Sequence, residues 1–507
     1  MVRRAGLFVL LFCFWGTCFL PSAYAQEKKL VMVFSSQMGD IQSLDQKGGL
    51  AELATLLENL RKDGSEVLFF HGGGAFGGFT LSAFDHGAHM VGLLNLLDPA
   101  AYALARNDFP RSKDTLSVRT HDAIFPFVSS NLVDSTTMGP VRGIKNNTIV
   151  HANTIPVGFF SLISTGLMNT HMAASLELLE QESVFFDEIW QLKRNGAILT
   201  VAASDFAYDE VSLFLDDGPN ILFLTDEEAT RIARHGETLV LHQRGESTAF
   251  VVTAIFADTH DDGNMKLRSL DAEIVDLATL PQNDFMASAM SDYAEVLDIL
   301  LNSPVGHTEV LLETLETLLN SQENAFANLV ADAMREYYGA DIGVIHAGFI
   351  RGNAVYPADV QITRRDLQRE FPVQDASEYV AMSGRAVELM LENALSEIEE
   401  PQKTGKFLHV SGLAFEFDPT AEKGSRVRKI TVNGEPLDKR REYTLTISSY
   451  LGAGRNGFYM LKTSKRRYTE KPPQAVSEIV RNYIDRNSPI APKVSGRIVQ
   501  YKGSGAN

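Results

Sequence analysis

Between residue 29 and about residue 270, short apolar runs alternate with amphipathic stretches of helical period, the signature of a sheet covered by helices. Residues 30–34 (LVMVF) and 67–70 (VLFF) read as strands, and residues 49–61 between them as a helix. Further strands are expected at 125–132 (FPFVSSNL), 157–163 (VGFFSLI), 197–202 and 220–224, and a helix over 83–97. This first α/β unit is read over residues 26–285.

A mostly helical stretch over 286–320 is expected to link it to a second unit. Asn302-Ser303-Pro304-Val305-Gly306 inside that stretch is a turn signal, so the linker should consist of two helical pieces. Residues 321–501 carry an independent α+β pattern, and 502–507 end the chain as a polar, glycine-rich tail. The pattern contains no internal repeat.

Composition narrows this picture. With 507 residues, 45% of them hydrophobic, the chain can bury a sizeable core in roughly two to four domains. Arg3 and Arg4 precede an apolar run over residues 7–20, and Ala23-Tyr24-Ala25 supplies small residues for a cleavage site. This pattern predicts a signal peptide over residues 1–25 and a periplasmic or secreted mature chain with no transmembrane span. Cys13 and Cys18 are the only cysteines, and both fall in that leader. A metal site in the mature chain would therefore use oxygen and nitrogen ligands. The formal charge is −18, and loss of Arg3 and Arg4 makes the mature chain more negative by two. An acidic surface of this kind disfavours nucleic-acid polymers as partners.

Residues 67–82, VLFFHGGGAFGGFTLS, resemble the strand and loop LLLDAGDAFQGTPLS of the bacterial 5'-nucleotidase / UDP-sugar hydrolase family. In that family the aspartate of the Gly-Asp pair bridges two metal ions; here the position is Gly74. The resemblance continues through the second unit in ENAFANLVADAM (323–334), ADIGVIHAGFIRG (340–352), ITRRDL (362–367), GKFLHVSGL (405–413), VNGEPL (432–437) and YLGAGRNGF (450–458). It implies a four-layer α/β metallophosphoesterase-like N-terminal domain, joined by the helical linker to an α+β 5'-nucleotidase C-terminal domain.

The resemblance also implies which residues to watch. In the family's C-terminal domain two aromatic rings clasp the base, an aspartate takes the ribose hydroxyls and an arginine assists. The matching positions are Phe407 and Tyr450 for the rings, Asn456 for the aspartate and Arg351 for the arginine, with His346 in place of the asparagine that opens the arginine motif. Asn456 can still hydrogen-bond a hydroxyl but brings no charge. In the first unit the family's metal motifs align with Ser36-Gln37-Met38-Gly39, Gly73-Gly74, Ala105-Arg106-Asn107-Asp108, Ser204-Asp205 and Thr225-Asp226-Glu227-Glu228. Ser36, Gly74, Arg106, Asn107, Asp205, Asp226 and Glu228 would thus line a degenerate pocket, and no histidine ligand survives the alignment. Two metal ions in such a pocket generate hydroxide and neutralise the phosphoryl group; without ligands no metal cofactor is expected. Arg106 among Asp205, Asp226 and Glu228 could replace part of the lost cationic charge.

Two competing motifs carry less. Gly72-x-Gly74-x-x-Gly77 formally matches a dinucleotide fingerprint, but no acidic strand end follows at the required spacing. His86-x-x-His89 could place two imidazoles on one helix face, a spacing more often found in solvated or packed helices. The expectation is an exported, catalytically degenerate member of the family that binds at most a nucleoside, nucleotide or small anion, weakly. The alternative is an active phosphohydrolase in which Asp40, Asp205, Asp226 and Glu228 hold one divalent cation.

Overall fold

The computed structural model describes residues 27–501 except 39–40, 42–47, 63, 78–80, 110–112, 165–175, 226, 260–263, 374, 401–404 and 468. The expected leader, the tail, Asp40 and Asp226 therefore lie outside the described residues. The chain divides into two compact units, Met1–Ala289 and Met290–Asn507.

Among its described residues the first unit is built on two main sheets of thirteen strands. In chain order these are β1 (Glu27–Ser35), β2 (Val67–His71), β3 (Ala101–Ala103), β4 (Phe127–Val128), β5 (Ile144–Lys145), β6 (Asn147–Ala152), β7 (Ile155–Leu162), β8 (Leu199–Ser204), β9 (Ile221–Leu224), β10 (Arg231–His235), β11 (Thr238–His242), β12 (Thr248–Thr259) and β13 (Asn264–Asp276). The seven-stranded sheet runs β13-β12-β1-β2-β3-β4-β5, the six-stranded sheet β10-β11-β9-β8-β7-β6. β1 to β5 run parallel, as do β7, β8, β9 and β11, while antiparallel strands close the edges.

The sequence explains this layering. Residues 30–35 of β1 are buried without interruption, as a parallel strand covered on both faces requires. Phe34 and Phe70 stack at 5.4 Å, and Phe70 stacks on Phe159 of the other sheet at 5.0 Å, so the two inner faces meet in one aromatic core. Helices cover the outer faces; Phe185 of the helix Gln181–Arg194 meets Phe160 of β7 edge-on at 5.6 Å. The result is the expected four-layer α/β arrangement.

Two local expectations change. The helix over 83–97 is two, Ser82–Asp85 and Ala88–Leu97, because His86 and Gly87 both take positive φ (54° and 82°). A Cβ on Gly87 would sit 2.9 Å from the Phe76 ring, so the break lets the chain pass that ring. His86 and His89 consequently do not share a continuous helix face, and His89 Nδ1 pairs with Asp85 at 2.8 Å. The stretch over 286–320 holds one long helix, Asp284–Leu301, then short strands at Pro304–Thr308 and Leu312–Glu313 before the turn of helix Glu316–Leu319. Those strands pair with Val360–Thr363 and Val355–Tyr356, partners far along the chain that local periodicity cannot reveal.

The second unit has a five-stranded sheet whose main strands are β14 (Ile342–His346), β15 (Ser377–Ser383), β16 (Leu408–Ser411) and β17 (Glu442–Ser448), in the order β16-β14-β17-β15 with Lys465–Arg466 at the edge. Helix Ala325–Tyr338 is capped by the Asn324 side chain and ended by Gly339 at positive φ. It buries Phe326, Leu329, Val330 and Met334 in the core of this unit. Among the described residues no helix is long and apolar enough to cross a membrane.

Candidate functional site

Of the positions expected to line the degenerate pocket, Ser36, Gly74, Arg106 and Asp205 lie where parallel strands end, the usual place for a site in such folds. β1 delivers Ser36 and Gln37, β2 delivers Gly72 to Gly74, β3 the turn Arg106–Asp108, β8 Ser204 and Asp205, and β9 Thr225. These loops are tied to one another. Gln37, at a positive φ of 66°, donates its backbone N–H to the Gly73 carbonyl (2.9 Å) and its Nε2 to the Thr225 carbonyl (2.7 Å). Its aliphatic stem lies over Gly74: a Cβ on Gly74 would stand 3.1 Å from Gln37 Cγ. The space into which a side chain at 74 would project is thus taken by glutamine. Ser36 Oγ donates to Gln243 Oε1 (3.1 Å), and buried Met38 sits 3.7 Å from Ser35 Oγ through its sulfur.

The acids nearby are already engaged. Asp108 is fully buried and accepts four hydrogen bonds: from Gly74 N (2.8 Å), Ala105 N (2.9 Å), Phe76 N (3.1 Å) and Tyr102 Oη (2.7 Å). Burial pushes its carboxyl up to about 6, against these four donors, which favour the charged form. Asp108 is the clamp that holds the glycine loop onto the β3 turn. Gly77 belongs to the same contact, since a Cβ there would lie 1.8 Å from the Asn107 carbonyl oxygen, so packing accounts for this glycine of the formal fingerprint.

Asp205 accepts from Ser164 N (2.6 Å) and from Arg106 N (2.9 Å). Burial raises its carboxyl, while those two amides and the nearby Arg106 charge act in the opposite direction. Arg106 therefore does reach Asp205, with its backbone amide as the bonded group. Asn107 and Glu228 are exposed. The residue that turns inward on the β9 loop is Glu227, which accepts from Tyr208 N (2.9 Å) and pairs with buried His242 Nδ1 (3.2 Å). Strand register, Leu224 beside His242, turns Glu227 inward in place of Glu228, the residue that the sequence alignment selects. Among the described residues no group of three or more His, Cys, Asp or Glu side chains is placed to hold a metal ion.

Asp205→Ala leaves the Ser164 and Arg106 backbone amides without this acceptor and should cost about 2 to 5 kcal/mol. Urea unfolding followed by Trp190, the one tryptophan after residue 25, measures the loss; a value below about 1 kcal/mol would show that this carboxylate does not tie these loops together.

In the second unit the structure brings together Tyr450, Asn456, His346 and Arg351, and sets Phe407 apart. Tyr450 Oη donates to Asn456 Oδ1 at 3.0 Å, and its position is fixed by Asp375, which accepts from Tyr450 N (3.0 Å) and Ser449 Oγ. One face of the ring stacks on His346, with centroids 5.1 Å apart and planes 12° from parallel. His346 is buried, and desolvation, reinforced by the Arg351 charge, lowers its imidazole to about 3. It is neutral at ordinary pH. Phe407 is 3% exposed and packs edge-on against His409 and Phe417. Of the two rings expected to face a base, only Tyr450, 39% exposed, offers surface. Phe407 is drawn inward because its backbone carbonyl, accepting from Ala347 N at 2.8 Å, continues the β14–β16 ladder. Phe407→Ala should accordingly appear as about 3 to 5 kcal/mol of lost stability in thermal unfolding, with no separate effect on ligand affinity once folded.

The sequence profile described as "5'-nucleotidase, C-terminal domain" matches residues 304–463. Snake venom 5'-nucleotidase from Naja atra is 22% identical over 93% of this chain and 96% of its own, and 5'-nucleotidase from Mus musculus is 22% identical over 89% and 85%. Among solved structures, a putative 5'-nucleotidase from Staphylococcus aureus in complex with alpha-ketoglutarate superposes with a TM-score of 0.66 at 13% identity, covering 94% of this chain and all of that one. The NAD nucleotidase of Haemophilus influenzae gives 0.61 at 14% identity with the same coverage. At these identities the structures speak for the fold alone.

Proposed function

We propose that this chain, which belongs to the 5'-nucleotidase family, is a member that has given up dinuclear-metal phosphohydrolysis and is exported through its N-terminal leader. It retains at most weak binding of a nucleoside, nucleotide or small anion in its second unit. The observation that carries this reading is the way the strand-end loops satisfy one another. A metal ligand needs a lone pair free to point at the ion. Asp108 instead has its four acceptor sites taken by three backbone N–H groups and the Tyr102 hydroxyl, position 74 has no side chain, and Gln37 covers it. The described residues at these strand ends do not fit a metal pair.

For the second unit, Tyr450 offers one ring face, Asn456 a hydrogen bond and Arg351 positive charge. A single stacked ring contributes about 1 to 3 kcal/mol, too little alone for tight binding. Calorimetric titration of the mature chain with manganese, and separately with adenosine and AMP, tests both halves. The expected results are no saturable manganese binding at micromolar concentration, and nucleoside binding that weakens by about 1 to 3 kcal/mol in Tyr450→Ala. Tight manganese binding overturns the first half; equal nucleoside affinity in wild type and Tyr450→Ala overturns the second.

A further inference from the structure

A second feature of the C-terminal unit is lined by Arg351 and not by Tyr450. It is a pocket of about 290 Å³ whose lining includes Glu316, Asn320, Gly348, Arg351, Asn353 and Gly405. Its floor is backbone. Gly348 N donates to the Gly405 carbonyl at 3.0 Å, and a Cβ on Gly405, at φ 58°, would lie 2.8 Å from Gly348 Cα, so position 405 is restricted to glycine and the two segments lie in close contact.

The walls are held by side chains that are themselves anchored. Buried Glu370 accepts from Thr314 Oγ1 (2.9 Å), Tyr356 Oη (2.6 Å) and Gly352 N (3.2 Å), which joins both sides of the pocket to the core. Asn353 Oδ1 accepts from Glu316 N at 3.1 Å.

Three groups on this frame have unused capacity. The Arg351 Nε donates to the Gly348 carbonyl (3.0 Å), and its terminal nitrogens have no acceptor among the described residues. The Glu316 carboxylate likewise has no donor among them. Asn320 is 3% exposed; its amide nitrogen donates to the Glu316 carbonyl (3.0 Å), while its Oδ1 has no donor. A buried carbonyl oxygen left without a donor is rare and calls for a partner.

Together these groups ask for one ligand with a planar anion for the guanidinium fork, a cation for Glu316 and an N–H donor for Asn320. We propose that this pocket binds a zwitterionic α-amino acid, its carboxylate on Arg351 and its ammonium shared between Glu316 and Asn320 Oδ1. The volume confines the ligand to metabolite size. An inorganic anion satisfies only Arg351, and a simple amine only the other two groups. This site shares Arg351 with the nucleoside reading but needs neither Tyr450 nor Asn456.

Thermal-shift and calorimetric titrations of the mature chain with glycine, L-alanine and L-glutamate test the proposal, with acetate, methylammonium and inorganic phosphate as half-ligands. At least one amino acid should raise the melting temperature saturably, while no half-ligand does so at equal concentration. Glu316→Gln and Arg351→Gln, both at exposed positions, should each weaken that binding about tenfold or more, and Tyr450→Ala should leave it unchanged. No shift with any amino acid, an equal shift with phosphate alone, or a shift that survives both Glu316→Gln and Arg351→Gln overturns the assignment. Loss of nucleoside binding alone would sink only the reading at Tyr450.

Discussion

Asp108→Ala is expected to destabilise the first unit by about 4 kcal/mol or more. Its two carboxylate oxygens, on a fully buried side chain, accept three backbone N–H groups and the Tyr102 hydroxyl. Alanine leaves all four donors without acceptors, and each buried orphan costs about 1 to 3 kcal/mol. Asp108→Asn keeps the shape but turns one acceptor oxygen into a donor facing N–H groups, so its loss should be smaller yet still clear. Urea denaturation read from Trp190 fluorescence measures both. A loss below about 1 kcal/mol for the alanine variant would show that the glycine loop is not held by this carboxylate.

Acidification should weaken the second unit steeply. His346 and His409 are buried, and desolvation lowers them to about 3 and about 4, whereas an unfolded histidine titrates near 6.5. The unfolded chain then takes up protons that the folded chain cannot, so the stability these residues allow is present above about pH 6.5 and is lost as pH falls toward 4. Between pH 7.5 and 4.5 each contributes a loss of about 2.5 kcal/mol. Glu370 and Glu378, whose carboxyls burial raises, act with the opposite sign and offset part of it. In the first unit buried His71, lowered to about 3, is opposed in the same way by Asp108 at about 6. Unfolding midpoints measured across this pH range should fall for the second unit, and His346→Gln or His409→Gln should flatten the slope. A midpoint constant from pH 7.5 to 4.5 would contradict the assignment of neutral buried imidazoles.

The layers of the fold were legible because strands such as β1 and β2 are continuous apolar runs, whose burial needs both faces covered. The strands after residue 303 were not, because Pro304–Thr308 and Leu312–Glu313 owe their shape to partners about fifty residues away. In the first site the loops could be located from their glycines and lost ligands, and the structure does gather them at strand ends. What fills the space could not be read: Gln37 stands between matched positions, and its role depends on the Thr225 carbonyl lying 2.7 Å from its amide. The alignment selects Glu228 where the structure turns Glu227 inward, because alternation along a loop, unlike a strand, does not fix which side chain turns in. In the second site Phe407 and Tyr450 look alike in sequence, yet one continues a ladder into the core and the other sits partly exposed on the short helix Ser449–Gly452. The stacking of His346 on Tyr450 joins residues about a hundred positions apart, a contact no single motif carries.

The central claim, that the strand-end pocket of the first unit no longer supports metal-dependent hydrolysis, is tested most directly by phosphate release from AMP, ADP and UDP-glucose. The purified mature chain should be assayed with manganese, cobalt or zinc beside an active 5'-nucleotidase. Each lost metal contribution of several kcal/mol corresponds to orders of magnitude in rate, so the account predicts activity at least about 100-fold below the active enzyme. Robust metal-dependent turnover abolished by EDTA would contradict it.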